Sequence, residues 1–349
     1  MNTIFTGAQG GCHIQGIAVD PKKGYIYYSF TTKLIKAKLD GTIVGSVDGL
    51  TGHLGCIDFN DKDGKVYGSL EYKNDIIGRG INSIIGVRKT YEDSFYMTIF
   101  DVDKIDRMDM DAEKDGVMTA VYLKEVVDDF NGTGFNKAGE AVPHRYGCSG
   151  IDGTAIGPMP GDPDGKDYLF VCYGIYSDLE REDNDHQVIL CYDLEELGSF
   201  ARPLSQDSMH KSGPATPKEK LFVFTGNTTY GVQNLEYDPY TKGYFMALYP
   251  GKKPEYPNFK LMQIDATVAP VRKLLQGMNE VGMCLTLKKV GKELHPRSFG
   301  WFFELGATGL YAYGDGRYLI CRPMLARNGQ CGLVMPFTFD ADNGFVVDA

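Results

Sequence analysis

The sequence lacks the features of several protein classes. It contains no run of about 18 or more consecutive apolar residues, so we expect no membrane span. Basic residues are scarce relative to acidic ones: 36 Lys and Arg stand against 46 Asp and Glu, and the formal net charge of −10 disfavours nucleic acid as a partner. The amino terminus has neither the basic start nor the apolar stretch of a secretory signal, which predicts a cytoplasmic protein.

Cysteine and motif content exclude further classes. Eight cysteines in 349 residues are too few for a disulfide scaffold, and none forms a CxxC pair, so we expect buried, reduced thiols. No HExxH, GxSxG or Walker motif occurs, nor a GxGxxG between a strand and a helix, which leaves zincin, α/β-hydrolase and nucleotide-cradle mechanisms without support. Helical periodicity is also nearly absent, and residues 102–108 and 193–197 are the only short helix candidates.

Short apolar runs dominate the chain instead. Val, Ile, Tyr and Phe cluster in runs of five to eight residues that are bounded by Asp-Gly, Asp-Pro or Lys-Gly steps. The 43 glycines supply residues for tight turns between these runs. The pattern predicts an all-β protein.

A repeated unit organises these strands. Each copy consists of an apolar strand, a polar turn and a second apolar strand, and the copies begin at Gln15, Leu54, Asp152, Gln233 and Thr308. Third strands are predicted at 34–39, 96–102, 187–193, 259–265 and 331–340. Fourth strands are predicted at 42–47, 117–127, 221–224 and 281–287. Four-stranded units repeated about an axis are typical of a β-propeller, so residues 1–349 are predicted to form one domain of five blades.

Two features of the propeller stay open at this point. The interval from Leu54 to Asp152 is 98 residues against 39 for the interval before it, which leaves room for a sixth blade. Either residues 4–6 or residues 345–347 could supply the strand that closes the ring.

Loop length differs between the two faces of the predicted disc. Every hairpin between a first and a second strand is short, whereas the segments 73–94, 130–150, 175–186, 199–220 and 251–258 are long. We expect these long connections to lie together on the opposite face. Long ordered loops on a rigid scaffold commonly carry binding and catalytic residues, so this face is the predicted functional face.

The topology brings polar residues to the channel mouth on that face. The candidate catalytic residues are His13, His53, Glu71 and Asp152: a carboxylate would act as general base or metal ligand and a histidine as acid or second ligand, so a divalent cation stays possible. Thr31 and Tyr249 end second strands at the same rim. The candidate substrate-binding residues are Gln15, Tyr173, Gln233, Asn234, Thr308 and Arg322. Arg322 is either the partner of a carboxylate or a clamp for an anionic substrate group.

One segment resembles a known family. The stretch GIDGTAIGPMPGDPDGKDYLFVCYG, which contains Asp152, is similar to a blade of the arabinanase-type five-bladed glycosidases. The resemblance covers about 25 residues and implies that Asp152 tunes a general acid. It also implies that the general base of the family, a carboxylate, occupies the position that is Gln15 here. The equivalent position in the fourth blade is Gln233, which is also an amide. An amide cannot accept the proton, so the two-carboxylate mechanism is not expected here.

The combined pattern gives two functional hypotheses. The first is a hydrolase or lyase that acts on a small polar molecule, anionic or sugar-derived, at the channel mouth. The second is a non-catalytic propeller that binds a ligand or a partner protein through the same loops. A deep pocket with carboxylates and histidines in mutual reach favours the first, and a flat face with exposed aromatic residues favours the second.

Overall fold

The protein is an all-β, five-bladed propeller. A computed structural model describes residues 2–347. Five sheets surround a central channel, and they are antiparallel except at the outer edges of two blades. Each innermost strand contacts the innermost strands of the blades on either side. The innermost strand of blade 5 contacts that of blade 1, so the ring is closed by five blades and the six-bladed alternative does not apply.

Blades 1 to 3 each contain a four-stranded meander. The strands of blade 1 are Ile14–Asp20, Tyr25–Phe30, Lys33–Lys38 and Ile43–Asp48, with Met110–Asp111 added in parallel at the outer edge. Those of blade 2 are His53–Asn60, Lys65–Tyr72, Ser94–Phe100 and Met118–Tyr122. Those of blade 3 are Cys148–Pro158, Asp167–Ile175, His186–Tyr192 and Glu219–Phe224, extended by Val281–Cys284 and Val271–Leu274.

Blades 4 and 5 are less regular. The strands of blade 4 are Thr228–Asp238, Gly243–Pro250 and Leu261–Asp265. Those of blade 5 are Leu310–Ala312, Arg317–Ala326 and Gly329–Asp340. Two separate hairpins are formed by Thr133–Phe135 with Ala141–Pro143 and by Lys292–His295 with Ser298–Gly300.

Both candidate segments take part in closing the ring. Ile4–Phe5 pairs with the third strand of blade 5 at Val334 and Leu333. Gly344–Val347 pairs with the same strand further along, between Phe337 and Asp340. The two segments therefore share one strand edge, which joins the amino-terminal region to the last blade.

The long interval from Leu54 to Asp152 holds blade 2 and two helices rather than a further blade. The α-helices of the protein are α1 (Ile76–Ile85), α2 (Lys124–Phe130) and α3 (Leu194–Ser199). Short 3-10 turns cover Val102–Lys104 and Arg145–Gly147. The sequence predicts α3 and the turn after residue 102 but not α1 and α2. Within residues 2–347, no helix has the length and apolar character needed to cross a membrane.

The core is divided among the interfaces between blades. Five clusters of buried apolar side chains are present, one between each pair of neighbouring blades. Alternation along the strands produces this division, because successive side chains point to opposite faces of a sheet. Tyr27 thus packs toward blade 2 and its neighbour Tyr28 packs toward blade 5. Seven of the eight cysteines are buried and all are unpaired, as predicted.

Two segments differ from the prediction. Only the end of the predicted strand 281–287 lies on blade 4, where Leu287 pairs with Ile264. Val281–Cys284 pairs instead in parallel with Glu219–Phe224 of blade 3. Residues 199–220 join the third and fourth strands of blade 3, so they begin and end on the rim opposite the functional face. Between these ends they run along the outer strand of blade 2, where Arg202 pairs with Ala120.

Candidate functional site

A cavity of about 420 Å³ lies at the channel mouth on the predicted functional face. Its floor consists of polar side chains from the first four blades. Its roof is the helix α1, which lies within the connection between the second and third strands of blade 2. The polar side chains that line it are His13, Gln15, Thr31, His53, Glu71, Lys73, Ser149, Asp152, Tyr230, Gln233 and Tyr249.

Strand bulges direct three of these side chains into the cavity. Gln15 lies in a register shift between Ile14 and Gly16, and Asp152 lies in one between Ile151 and Thr154. Gln233 occupies the corresponding irregularity in blade 4. A bulge leaves its extra residue outside the ladder and turns that side chain away from the regular pleat. The repeat therefore places equivalent residues of three blades around one mouth.

Glu71 is the centre of a buried charge cluster. Its Oε1 lies 2.7 Å from Nζ of Lys73 and 3.1 Å from Nδ1 of His53, and its Oε2 accepts a hydrogen bond from the backbone N–H of Ile151 at 3.1 Å. Nζ of Lys73 also donates to the carbonyl oxygen of Ser149 at 2.6 Å. A carboxylate can only accept, so the Nδ1 of His53 carries the proton and Nε2 is left for a ligand.

The cluster sets opposite protonation tendencies on the two histidines. Burial opposes the charged form of His53, but the hydrogen bond and the charge of Glu71 outweigh it, so the pKa of His53 is raised. Burial, with the nearby His53, lowers the pKa of His13 to about 4. Burial alone would raise the pKa of Glu71, but the charge of Lys73 and the hydrogen bond from His53 lower it. Near neutral pH, Glu71 is thus ionised and His13 is neutral.

We expect an NMR titration to separate the two histidines. The ring protons of His13 should titrate near pH 4, and those of His53 above the ordinary value of about 6.5. Replacing the ion pair by Glu71→Gln/Lys73→Met should lower the midpoint of His53, because the carboxylate that favours its charge is lost. Equal midpoints for the two histidines in the wild type would contradict this arrangement.

Asp152 is the other carboxyl group of the floor. Its Oδ1 accepts a long hydrogen bond of 3.3 Å from the backbone N–H of Cys56. Burial, together with the charge of Glu71, raises the pKa of Asp152 to about 7, although His53 acts in the opposite direction. A carboxyl group that exchanges its proton near neutral pH is suited to acid–base catalysis.

Two glycines make room for the two carboxyl groups. A Cβ at position 55 would collide with Oδ1 of Asp152, and a Cβ at position 150 would collide with Oε2 of Glu71. Gly150 also has a φ of +121°, which disfavours any other residue. Each acid therefore approaches the backbone of a neighbouring blade through a position that has no side chain.

Four predicted binding residues lie outside the cavity. Tyr173 points between blades and donates to Asp129 at 2.7 Å, because side-chain alternation gives the mouth position to Gly174. Thr308 donates to the carbonyl oxygen of Cys321 within its own blade.

Asn234 and Arg322 are the other two. Asn234 lies beneath the floor and donates to the carbonyl oxygens of Gln15 and Ala307, so it joins three blades. Arg322 is exposed and lines a separate cavity beside Trp301. Arg322 therefore neither clamps an anion at the mouth nor pairs with a carboxylate there.

Sequence reasoning also missed parts of the site. Lys73 follows Glu71 by two residues, and in an extended chain such residues point to the same side, so the pair could have been found. The helix α1 has an Asp75 cap and a Gly86 stop with apolar spacing between them, but Gly78 and Gly80 weaken its helical signal. Nothing in the sequence marks Tyr230 as a cavity residue.

The possible metal site has no support in the arrangement of ligands. Among residues 2–347, no three or more His, Cys, Asp or Glu side chains form a group that could hold a metal ion. Glu71 is instead neutralised by Lys73 and His53.

Comparisons with known proteins concern the fold. No protein-family model and no curated protein matches the sequence. A GH43 β-1,3-galactosidase solved with galactodeoxynojirimycin has a TM-score of 0.42 at 11% identity, covering 98% of this chain and 97% of that one. The PQQ domain of pyranose dehydrogenase from Coprinopsis cinerea has a TM-score of 0.40 at 12% identity, covering 91% and 81%. A family AA12 carbohydrate-active enzyme from Trichoderma reesei has a TM-score of 0.37 at 11% identity, covering 91% and 80%.

These likenesses are too distant to carry an argument about activity. The closed ring of five sheets identifies the protein as a five-bladed β-propeller.

Proposed function

We propose that the protein binds a small, neutral, sugar-derived molecule in the mouth cavity and cleaves a C–O bond in it by acid–base catalysis. The observation that carries this proposal is the presence of two titratable groups, Asp152 and His53, in one cavity beside the fixed charge of Glu71. Cavities that bind small molecules combine a few convergent polar groups with an apolar wall, and this cavity has both.

Each group has a role that follows from its surroundings. Asp152, with a pKa of about 7, is the general base, and His53, whose pKa is raised, is the general acid. Glu71 orients the His53 ring through Nδ1. In hydrolysis Asp152 takes a proton from the attacking water, and in elimination it takes one from carbon. In both reactions His53 gives a proton to the departing oxygen as the C–O bond breaks, so the two proton transfers balance.

The charges at the mouth favour a neutral ligand over the anionic one that the sequence suggests. Lys73 is the only Lys or Arg among the described residues that line the cavity. Its ammonium group is already held by Glu71 and by the carbonyl oxygen of Ser149. The amides of Gln15 and Gln233 and the hydroxyl of Tyr249 are donors and acceptors of the kind that sugar hydroxyl groups need.

A second candidate function is binding without catalysis. The amides of Gln15 and Gln233 form hydrogen bonds within the protein. Gln15 donates to Oγ1 of Thr31 at 3.0 Å, and Gln233 donates to the carbonyl oxygen of Tyr230 at 2.9 Å. These bonds fix both amides in position, which a binding site needs whether or not a reaction follows. Asp152 is the residue that separates the two functions, because only catalysis needs the exchange of its proton.

A ligand screen by thermal melting tests the binding step. We expect neutral sugars or glycosides to raise the melting temperature, while uronates, nucleotides and lactones do so less, because a bound ligand adds about 2.7 kcal/mol at one hundred times its Kd. Gln233→Leu should reduce the shift, because it removes a polar group of the floor. Thr308→Val is the matched control and should retain it, since Thr308 lies outside the cavity. Stabilisation by uronates or nucleotides alone would contradict the proposal.

A further inference from the structure

The roof of the cavity is apolar, in contrast to its floor. Helix α1 directs Ile76, Ile77, Ile81 and Ile84 toward the cavity, with Gly80 between them. The spacing places all of these residues on one helix face. Ile76 is 76% exposed and Ile84 is 61% exposed, so the protein itself does not cover this face.

The helix is held in place rather than loosely attached. Asp75 caps its first turn by accepting from the backbone N–H of Gly78 at 2.8 Å, and it also accepts from the hydroxyl of Tyr176 at 2.7 Å. A Cβ at position 78 would collide with the carbonyl oxygen of Lys73, so the first turn lies directly against the chain segment that carries the charge cluster. The isoleucine face therefore has a defined position above the polar floor.

The opposite rim continues the apolar lining. Tyr230 has a φ of +63° in the blade 4 bulge and is 45% exposed, and its ring lies edge-on to Tyr249 at 6.1 Å between ring centroids. On the remaining side, a Cβ at Gly11 would approach Ile84 to 3.0 Å. The cavity thus offers polar contacts at its base and apolar contacts at its opening.

We propose that the substrate is amphipathic: a glycoside whose sugar part lies on the floor and whose alkyl or aryl substituent lies under α1. This inference rests on the proposed function and names the substrate class of the same site. The gain in affinity is limited by the length of the substituent that α1 can cover. Each methylene group that becomes buried should improve Kd by up to about fourfold.

Matched glycosides test the inference. Kd is measured by calorimetry for methyl, butyl and hexyl glycosides of the same sugar, over a panel of common neutral sugars. We expect Kd to fall with chain length in the wild type. In Ile76→Ser/Ile84→Ser the dependence on chain length should be largely lost, so the Kd of the hexyl glycoside should rise by a much larger factor than the Kd of the methyl glycoside. Ile85→Ser, on the same helix but outside the cavity lining, is the matched control and should behave as the wild type.

The two proposals fail in different ways. If the methyl and hexyl glycosides bind equally, or if the double variant retains the dependence on chain length, the amphipathic substrate is wrong and the sugar site stands. If no glycoside binds, the proposed function is wrong. Binding of anilinonaphthalene sulfonate then tests whether the roof is an exposed apolar surface. The fluorescence of the dye should rise when it is mixed with the wild type or Ile85→Ser, but not with Ile76→Ser/Ile84→Ser. Equal fluorescence with all three proteins would overturn the apolar roof.

Discussion

Replacing Lys73 by methionine is expected to lower the free energy of unfolding by about 3 to 5 kcal/mol. The ammonium group and the Glu71 carboxylate are both buried, with side-chain exposures of 5% and 3%, and lie 2.7 Å apart. Methionine leaves the charge of Glu71 in the protein interior with only His53 and a backbone N–H as partners. The cost is therefore mainly that of an uncompensated buried charge.

Urea unfolding of four variants checks this expectation: Lys73→Met, Glu71→Gln, the two combined, and Lys22→Met. Glu71→Gln/Lys73→Met removes both charges. Its loss of unfolding free energy should be smaller than the sum of the losses in Lys73→Met and Glu71→Gln, because the double variant leaves neither charge of the pair without its partner. Lys22→Met breaks an ion pair with Asp61 on the exposed surface and should leave the urea midpoint unchanged. A loss below about 1 kcal/mol for Lys73→Met would show that the cluster is solvated and not buried as described.

Asp152→Asn is expected to lower the turnover of the cleaved glycoside by about 10² to 10⁴. The amide has nearly the shape of the carboxyl group and can still accept from Cys56 N–H, so ligand binding should be largely retained. In the wild type kcat/KM should rise with pH through about 7 as Asp152 loses its proton. The residual activity of the variant should be small and should not show this rise with pH.

The stability of the same variant has a predictable sign. The pKa of Asp152 is raised in the folded state, so its contribution to stability is fully present below the unfolded value of about 3.9 and is lost as the pH rises through about 7. Asparagine cannot ionise. Asp152→Asn should therefore melt at a higher temperature than the wild type at pH values above about 7.

Asp58→Asn is the matched control for this experiment. Burial also raises the pKa of Asp58 to about 7, and its Oδ2 accepts from the backbone N–H of Ile156 at 2.6 Å, but it does not line the mouth cavity. Its Oδ1 also accepts from the backbone N–H of Phe59 at 2.7 Å, so the amide of Asp58→Asn turns a donor toward one of two N–H groups and should gain less stability at alkaline pH than Asp152→Asn. Turnover should be unchanged. Full turnover in Asp152→Asn would eliminate Asp152 as the base, and binding without any turnover by the wild type would favour the non-catalytic function.

The repeat could be read from the sequence because it depends on neighbouring residues. Alternating apolar residues and glycine-containing turns predict the five hairpins, and the second and third strands lie within a few residues of the predicted positions. The same repeat predicts that Gln15, Asp152 and Gln233 occupy equivalent positions. Their convergence at one mouth is confirmed by the structure.

Other parts of the site depend on contacts between distant segments. The carboxylate of Glu71 is held by a backbone N–H that is 80 residues away in sequence, and the Asp75 cap of α1 is held by Tyr176, 101 residues away. No periodic pattern reports such pairs. Arg322 was expected at the mouth from its place at the end of a second strand, but the strand continues to Ala326 and leaves the side chain on the outside.

The amino-acid sequence by itself therefore determined the repeated unit and the order of its strands, because hydrophobic alternation and turn residues act over short distances. The closed ring in the tertiary structure excluded a sixth blade. The tertiary structure alone decided which of the polar groups at the mouth pair with one another, which of them are charged and what covers them. Those properties depend on burial and on partners from other blades, and neither exists before the ring is closed.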